Sequence, residues 1–180
     1  MFFLATTLPP TQTRELPPTM PLRRHLQHLA KALQQSERRL KLLSVMTPRE
    51  IDEWIYQFDL FFGDGMVHYF AAEETYLFPV VDARQQGSSL PITAQLRAAA
   101  RRLRADISDL RRMLREGQLK LTDIQRRGLA IIAAIRVYYR EMEELVYPLL
   151  DPHISAQDFL EQVARPLFGH PFDPGELYTV

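Results

Sequence analysis

The sequence predicts an all-α fold, an up-down four-helix bundle with a short fifth C-terminal helix. Three observations carry this. Apolar side chains recur at intervals of three and four over four long runs, capping signals stand at the starts of the second and fourth, and only short breaks separate them. A chain of 180 residues with 46% hydrophobic content has the material for one domain with a sizeable core.

Residues 1–20 carry Pro9, Pro10, Pro17 and Pro18 among threonines and read as a flexible arm. From Pro21 the leucines 22, 26, 29, 33, 40 and 43 form the inner face of a first helix. "TPRE" at Thr47 to Glu50 is a capping box with proline at the first helical position, so a second helix starts at Pro48. Its inner face is Ile51, Ile55, Phe58, Phe62, Met66, Tyr69, Glu73, Leu77 and Val80, with Gly63 and Gly65 as weak points in mid-course. After the break "ARQQGSSLP", a third helix from about Ile92 to Arg115 turns Leu96, Ala100, Leu103, Ile107, Leu110 and Leu114 inward and stops at Gly117. "TDIQ" at Thr122 offers a cap for a fourth helix with Leu129, Ile132, Ile135, Tyr138, Met142, Leu145 and Leu149 inward. "SAQD" at Ser155 begins the fifth. The expected boundaries are an arm at 1–20, the bundle at 21–165 and a tail at 166–180.

Composition narrows the chemistry. Twenty-two basic and 22 acidic side chains cancel, so no overall field favours nucleic acid, an anionic membrane or an acidic partner. With no cysteine, disulfides, thiolate metal sites and cysteine nucleophiles are excluded. The start "MFFLATTLPP" lacks a basic segment and a long apolar run, so a cytoplasmic protein without a membrane span is expected. Seven arginines of the third helix, 97, 101, 102, 104, 111, 112 and 115, could form a phosphate-binding patch. Asp106 and Asp109 interrupt them, and a solvated face without nucleic-acid binding is the expectation. No phosphate loop, serine-nucleophile motif or zinc-protease helix is present, and no enzymatic activity is expected.

Two stretches echo each other: "HYFAAEETYLFPVV" from His68 and "YYREMEELVYPLL" from Tyr138. With "PLRRHLQHL" before them and "DPHISAQDFLEQVA" after, they resemble the paired helices of hemerythrin-like proteins, the HHE cation-binding family, over roughly residues 20 to 165. In that family the second and fourth helices each supply a His-x-x-x-Glu pair, whose spacing puts imidazole and carboxylate on one helix face. Alignment on Pro79 and Pro148 places the implied ligands at Tyr69 and Glu73, and at Tyr138 and Met142. The helix-one histidine falls on His25 and the helix-three histidine on Ala100. The resemblance therefore implies a hemerythrin-like domain with a degenerate metal centre: His25 and Glu73 remain, while Tyr69, Ala100, Tyr138 and Met142 stand at former ligand positions. His68 is a further metal candidate, about 100° around the helix from Tyr69, reachable through a π-bulge.

Tyr69 and Tyr138 are expected to fill space left by imidazoles, and Glu73 to accept hydrogen bonds from His25 and from one or both tyrosines. Glu74, Glu143 and Glu144 are read as solvent-facing. No cofactor is expected and the role is that of a binding or regulatory module for a protein partner. The alternatives are a non-haem iron sensor or carrier (oxygen, nitric oxide or iron) through His25, Glu73, His68 and the tyrosines, as the resemblance implies; an oxygen-rich ferric site made of the two tyrosines, a glutamate and a histidine; and a sigma-factor-binding regulator, on the loose likeness of "FFGDGMVHYFAAEE" to a segment of such regulators.

Overall fold

The computed structural model describes residues 16–84, 92–117 and 120–169, and every regular element among them is helical. Five continuous helical runs follow the chain: α1 (Met20–Leu42), α2 (48–84), α3 (Ile92–Arg115), α4 (121–150) and α5 (156–168). Along the chain α2 packs on α3, α3 on α4 and α4 on α1, while α5 lies against the middle of α2. Residues 1–15 of the expected arm at 1–20, and residues 170–180 of the expected tail at 166–180, lie outside the described residues.

Local chemistry explains where these helices begin. The capping box forms as expected: Thr47 accepts from the Glu50 amide, and the Glu50 carboxylate accepts from the Thr47 amide at 2.7 Å. Ser155 caps α5 by accepting from the Asp158 amide at 3.0 Å. The "TDIQ" cap does not form, because α4 starts two residues earlier than a Thr122 cap would place it, at Leu121, with Lys120 as an N-cap that uses no side chain. Thr19, expected in the arm, is wholly buried. Its hydroxyl donates to Asp151 Oδ1 at 2.7 Å, and Arg23 reaches the other oxygen of Asp151 at 3.0 Å, so the start of α1 is tied to the end of α4. Gly117 ends α3 with φ +63°, a backbone conformation that a side chain would strain.

α2 and α4 are not uniform α-helices. α2 contains π-helical turns at Asp59–Met66 and Glu73–Leu77, and α4 contains one at Met142–Val146. Each wide turn adds residues without breaking the helix and rotates everything that follows. On α2, Phe58, Phe62, Met66, Tyr69, Glu73 and Leu77 are buried as expected, and the inner face slips by one residue only after the second wide turn. Near its start Trp54 is buried, while Ile51 and Ile55 are half-buried. On α4, Ile132, Ile135, Tyr138 and Met142 are buried as expected, and the slip follows its single wide turn. Val81 is buried in place of the half-buried Val80. On α4, Leu145 is 47% exposed while Val146 is sealed, and Leu150 is buried where Leu149 is only half covered. On α3, which has no such turn, Leu96, Ala100, Leu103, Ile107 and Leu110 are buried as the spacing predicts.

Five of the seven arginines of α3 pair with acids of α2, while Arg112 pairs with Asp109 and Glu116 of its own helix end. Arg97 bonds Asp82 at 2.6 Å, Arg101 and Arg104 both reach Glu74, at 3.2 and 2.9 Å, and Arg111 and Arg115 hold Asp59. Glu74 is thus half-buried and paired, in contrast to its expected solvent-facing role, whereas Glu143 and Glu144 are exposed. Burial opposes ionisation of Asp59, but its bonds to Arg111 and Arg115 outweigh that and hold its carboxyl below the usual range. Gly63 makes room for this arrangement, since a Cβ there would lie 2.9 Å from Arg111 Nε.

Gly128 sets the approach of α4 to α1. A Cβ at this position would stand 2.9 Å from both methyl groups of the fully buried Leu40. We expect Gly128→Ala to lower stability by about 1 kcal/mol, overpacking outweighing the better helix propensity of alanine, each of order 1 to 3 and 1 kcal/mol. Thermal unfolding checks this, and a raised midpoint would mean that Leu40 turns aside at no cost.

Candidate functional site

The π-helical turn at Glu73–Leu77 begins at the residue of greatest chemical interest. Glu73 is completely buried, and its Oε2 accepts a hydrogen bond of 2.7 Å from the Tyr138 hydroxyl of α4. Its other oxygen has no hydrogen bond, and the buried hydroxyls of Tyr69, Tyr139 and Tyr147 have none either. Four phenols therefore surround one carboxyl group: Tyr69 from α2, and Tyr138, Tyr139 and Tyr147 from α4.

Aromatic packing fixes this cluster. Tyr138 and Tyr139 meet edge to face at 5.0 Å between centroids, and Phe70 packs edge-on to Tyr138 at 5.2 Å and stacks on Tyr139 at 6.2 Å. Tyr69 stacks on His25 of α1 at 4.7 Å, and the other side of His25 meets Phe168 of α5 at 5.3 Å. The Arg23 guanidinium lies over the Tyr147 ring at 5.1 Å. Residues from α1, α2, α4 and α5 thus close around the carboxyl, and Ala100 of α3, also fully buried, adds no polar group.

Electrostatics follow from this enclosure. Burial pushes the Glu73 carboxyl from 4.5 up to about 8, and the Tyr138 hydrogen bond only partly opposes the shift. At neutral pH Glu73 is mainly a neutral acid. All four phenols are held well above their ordinary value of 10, first by burial and then by the nearby Glu73. A group of neutral phenols around a neutral acid satisfies the rule that unpaired charge avoids the protein interior.

The expected site residues divide clearly. Tyr69, Glu73 and Tyr138 come together, with His25 against Tyr69 and Met142 buried beside them on α4. Of the hydrogen bonds expected at Glu73 from one or both tyrosines, Tyr138 supplies one and the Tyr69 hydroxyl makes none. His68 lies apart from this group, in contrast to its expected place among the metal candidates. It is exposed, with Nδ1 against the Asp64 carbonyl, because Val67–Ala72 is regular α-helix and an inward Tyr69 leaves His68 about 100° away. Tyr139 and Tyr147 were not foreseen. The signal was present in the doubled tyrosine at 138–139 and in "VYP", but the extra residue in the Met142–Val146 turn is what brings Tyr147 inward.

The donor set differs from the imidazoles and carboxylates that the hemerythrin-like resemblance implies for iron. Among the described residues, no three histidine, cysteine, aspartate or glutamate side chains converge as metal ligands. What gathers instead is one carboxyl and four phenols, oxygen donors that would have to lose their protons to bind a cation.

Among the described residues no helix is long and apolar enough to cross a membrane. Compared with known proteins, the chain matches no family model, no curated protein and no solved structure.

Proposed function

We propose that the chain is a hemerythrin-like up-down four-helix bundle in which a carboxyl–phenol centre replaces the metal site, and that it serves as a non-enzymatic binding or regulatory module for a protein partner. The observation that carries this reading is the Glu73–Tyr138 hydrogen bond at a position where the resembling family would place two metal ligands. A phenol donating to a protonated or ionised carboxyl satisfies part of the buried polar surface and holds two helices together without a cation. The exposed Leu42 and Val45, 53% and 77% accessible at the turn between α1 and α2, supply apolar surface suited to a partner.

A second reading, an iron-holding sensor, is favoured by the buried oxygens of Glu73, Tyr69, Tyr139 and Tyr147 that lack hydrogen bonds. Hard, potentially anionic oxygens are the donors that ferric iron prefers. Elemental analysis and a visible spectrum of protein purified without chelators separate the two. The binding-module reading expects no stoichiometric iron and no visible band. Iron with a phenolate charge-transfer band would replace it with the sensor.

A further inference from the structure

We propose that the outward side of α4, with the groove between it and α3, is the interface of a two-fold homodimer, occupied by the same face of a second copy. α4 carries a second seam besides the one it turns to the core. Arg127, Ala130, Ala134, Val137 and Glu141 follow one another at intervals of three, four, three and four, the spacing of a helix that packs lengthwise on another. All five lie in the regular stretch Leu121–Glu141, ahead of the wide turn, so this spacing keeps them on one side of the helix. They stand apart from the core seam, whose Ile124, Ile131, Ile135 and Met142 are buried.

Apolar surface and shape suit a helix. Ala130 and Ala134 are exposed and Val137 is 43% accessible, while Leu145, 47% accessible, continues the strip beyond Glu141. Consecutive apolar positions along one seam gain nothing from facing water. Beside them runs an open groove of about 480 Å³, lined by Ala98 and Ala99 of α3 and by Ala134 and Val137 of α4. Side chains this short let a second helix approach closely. Arg102 and Asp106 of α3 also line the groove, and their opposite charges favour neither direction of approach.

Charge identifies the occupant. Arg127 and Glu141 stand seven residues to either side of Ala134, about 10 Å each way along the helix. Among the described residues neither has an ion-pair partner in its own chain. Rotating a second copy about a two-fold axis at Ala134 runs the two α4 helices antiparallel. Arg127 of each copy then meets Glu141 of the other, and Val137 of each meets the Ala130 region of the other. Every contact is made twice, as a two-fold interface requires. A parallel pairing would instead set arginine against arginine and glutamate against glutamate. Opposite charges at equal distances from one central residue are what a self-complementary face needs, and an unrelated partner would impose no such symmetry.

The test is sedimentation equilibrium of the full chain from about 1 to about 200 µM, with circular dichroism to verify the folding of each variant. The expected result is the mass of two chains at the upper end of this range. Val137→Glu and Arg127→Glu should each weaken association about tenfold or more, since each change is felt twice across the axis. The double variant Arg127→Glu with Glu141→Arg restores opposite charges and should return association to within about threefold of the wild type. Val45→Glu, at the exposed turn between α1 and α2, should leave it unchanged. A single chain at every concentration would overturn the proposal, as would a dimer indifferent to Val137→Glu or one dissociated by Val45→Glu. A double variant as weak as Arg127→Glu alone would refute the antiparallel pairing. Should a charge variant fail to fold, the wild-type mass and Val137→Glu still decide. None of these outcomes bears on the carboxyl–phenol reading above, which iron analysis tests separately.

Discussion

Glu73→Gln should make the protein more stable at neutral and alkaline pH, by about 3 kcal/mol at pH 7 and about 5 kcal/mol at pH 9, at about 1.4 kcal/mol per unit of pKa shift. In the folded protein burial raises the carboxyl to about 8 from its ordinary 4.5. Between those values the native state holds a proton that the unfolded chain releases, so stability falls as pH rises. The stabilising contribution is fully present below 4.5 and lost as pH passes 8. Glutamine imitates the neutral acid, retains an acceptor for Tyr138 and does not titrate. Denaturant unfolding at pH 5, 7 and 9 should show two curves that nearly meet at acid pH and separate as it rises. Parallel curves would show that Glu73 is already ionised in the native state.

Phe70→Ala should cost about 3 to 5 kcal/mol, the range for deleting a buried phenyl ring. Phe70 is fully buried against both Tyr138 and Tyr139, so its loss opens space beside the phenols as well as removing apolar contact. Polar walls admit water to such a space. Hydration would ease ionisation of Glu73, and the mutational cost should therefore be smaller at pH 9 than at pH 5. In a Glu73→Gln background that pH dependence should vanish, because the group that responds to hydration is gone. An equal cost at both pH values in the wild-type background would mean that the space stays dry.

Both predictions rest on a carboxyl group that the sequence could place but not describe. The spacing from Pro79 marked Glu73 as inward, and the shortage of imidazole and carboxylate partners was legible in Tyr69, Ala100, Tyr138 and Met142. Helix existence, most of the buried faces of α1 and α3, and the Thr47 and Ser155 caps were likewise readable, because periodicity and capping are local properties. The arginines of α3 were visible as a row. Their pairing with Asp59, Glu74 and Asp82 was not, since these partners lie on another helix.

Tertiary structure decided what depends on helix phase and on neighbours distant in the chain. A π-helical turn adds one residue to a helix, and a fixed 3.6-residue period carries no account of it. For that reason Val146 and Leu150 replace Leu145 and Leu149 inside α4 and Tyr147 joins the phenols. The sequence by itself determined a helical protein with one inward-facing carboxylate and too few conventional ligands around it. Only the folded arrangement decided that four tyrosines enclose that carboxylate and raise its proton affinity, because desolvation is a property of the assembled interior, not of any segment within it.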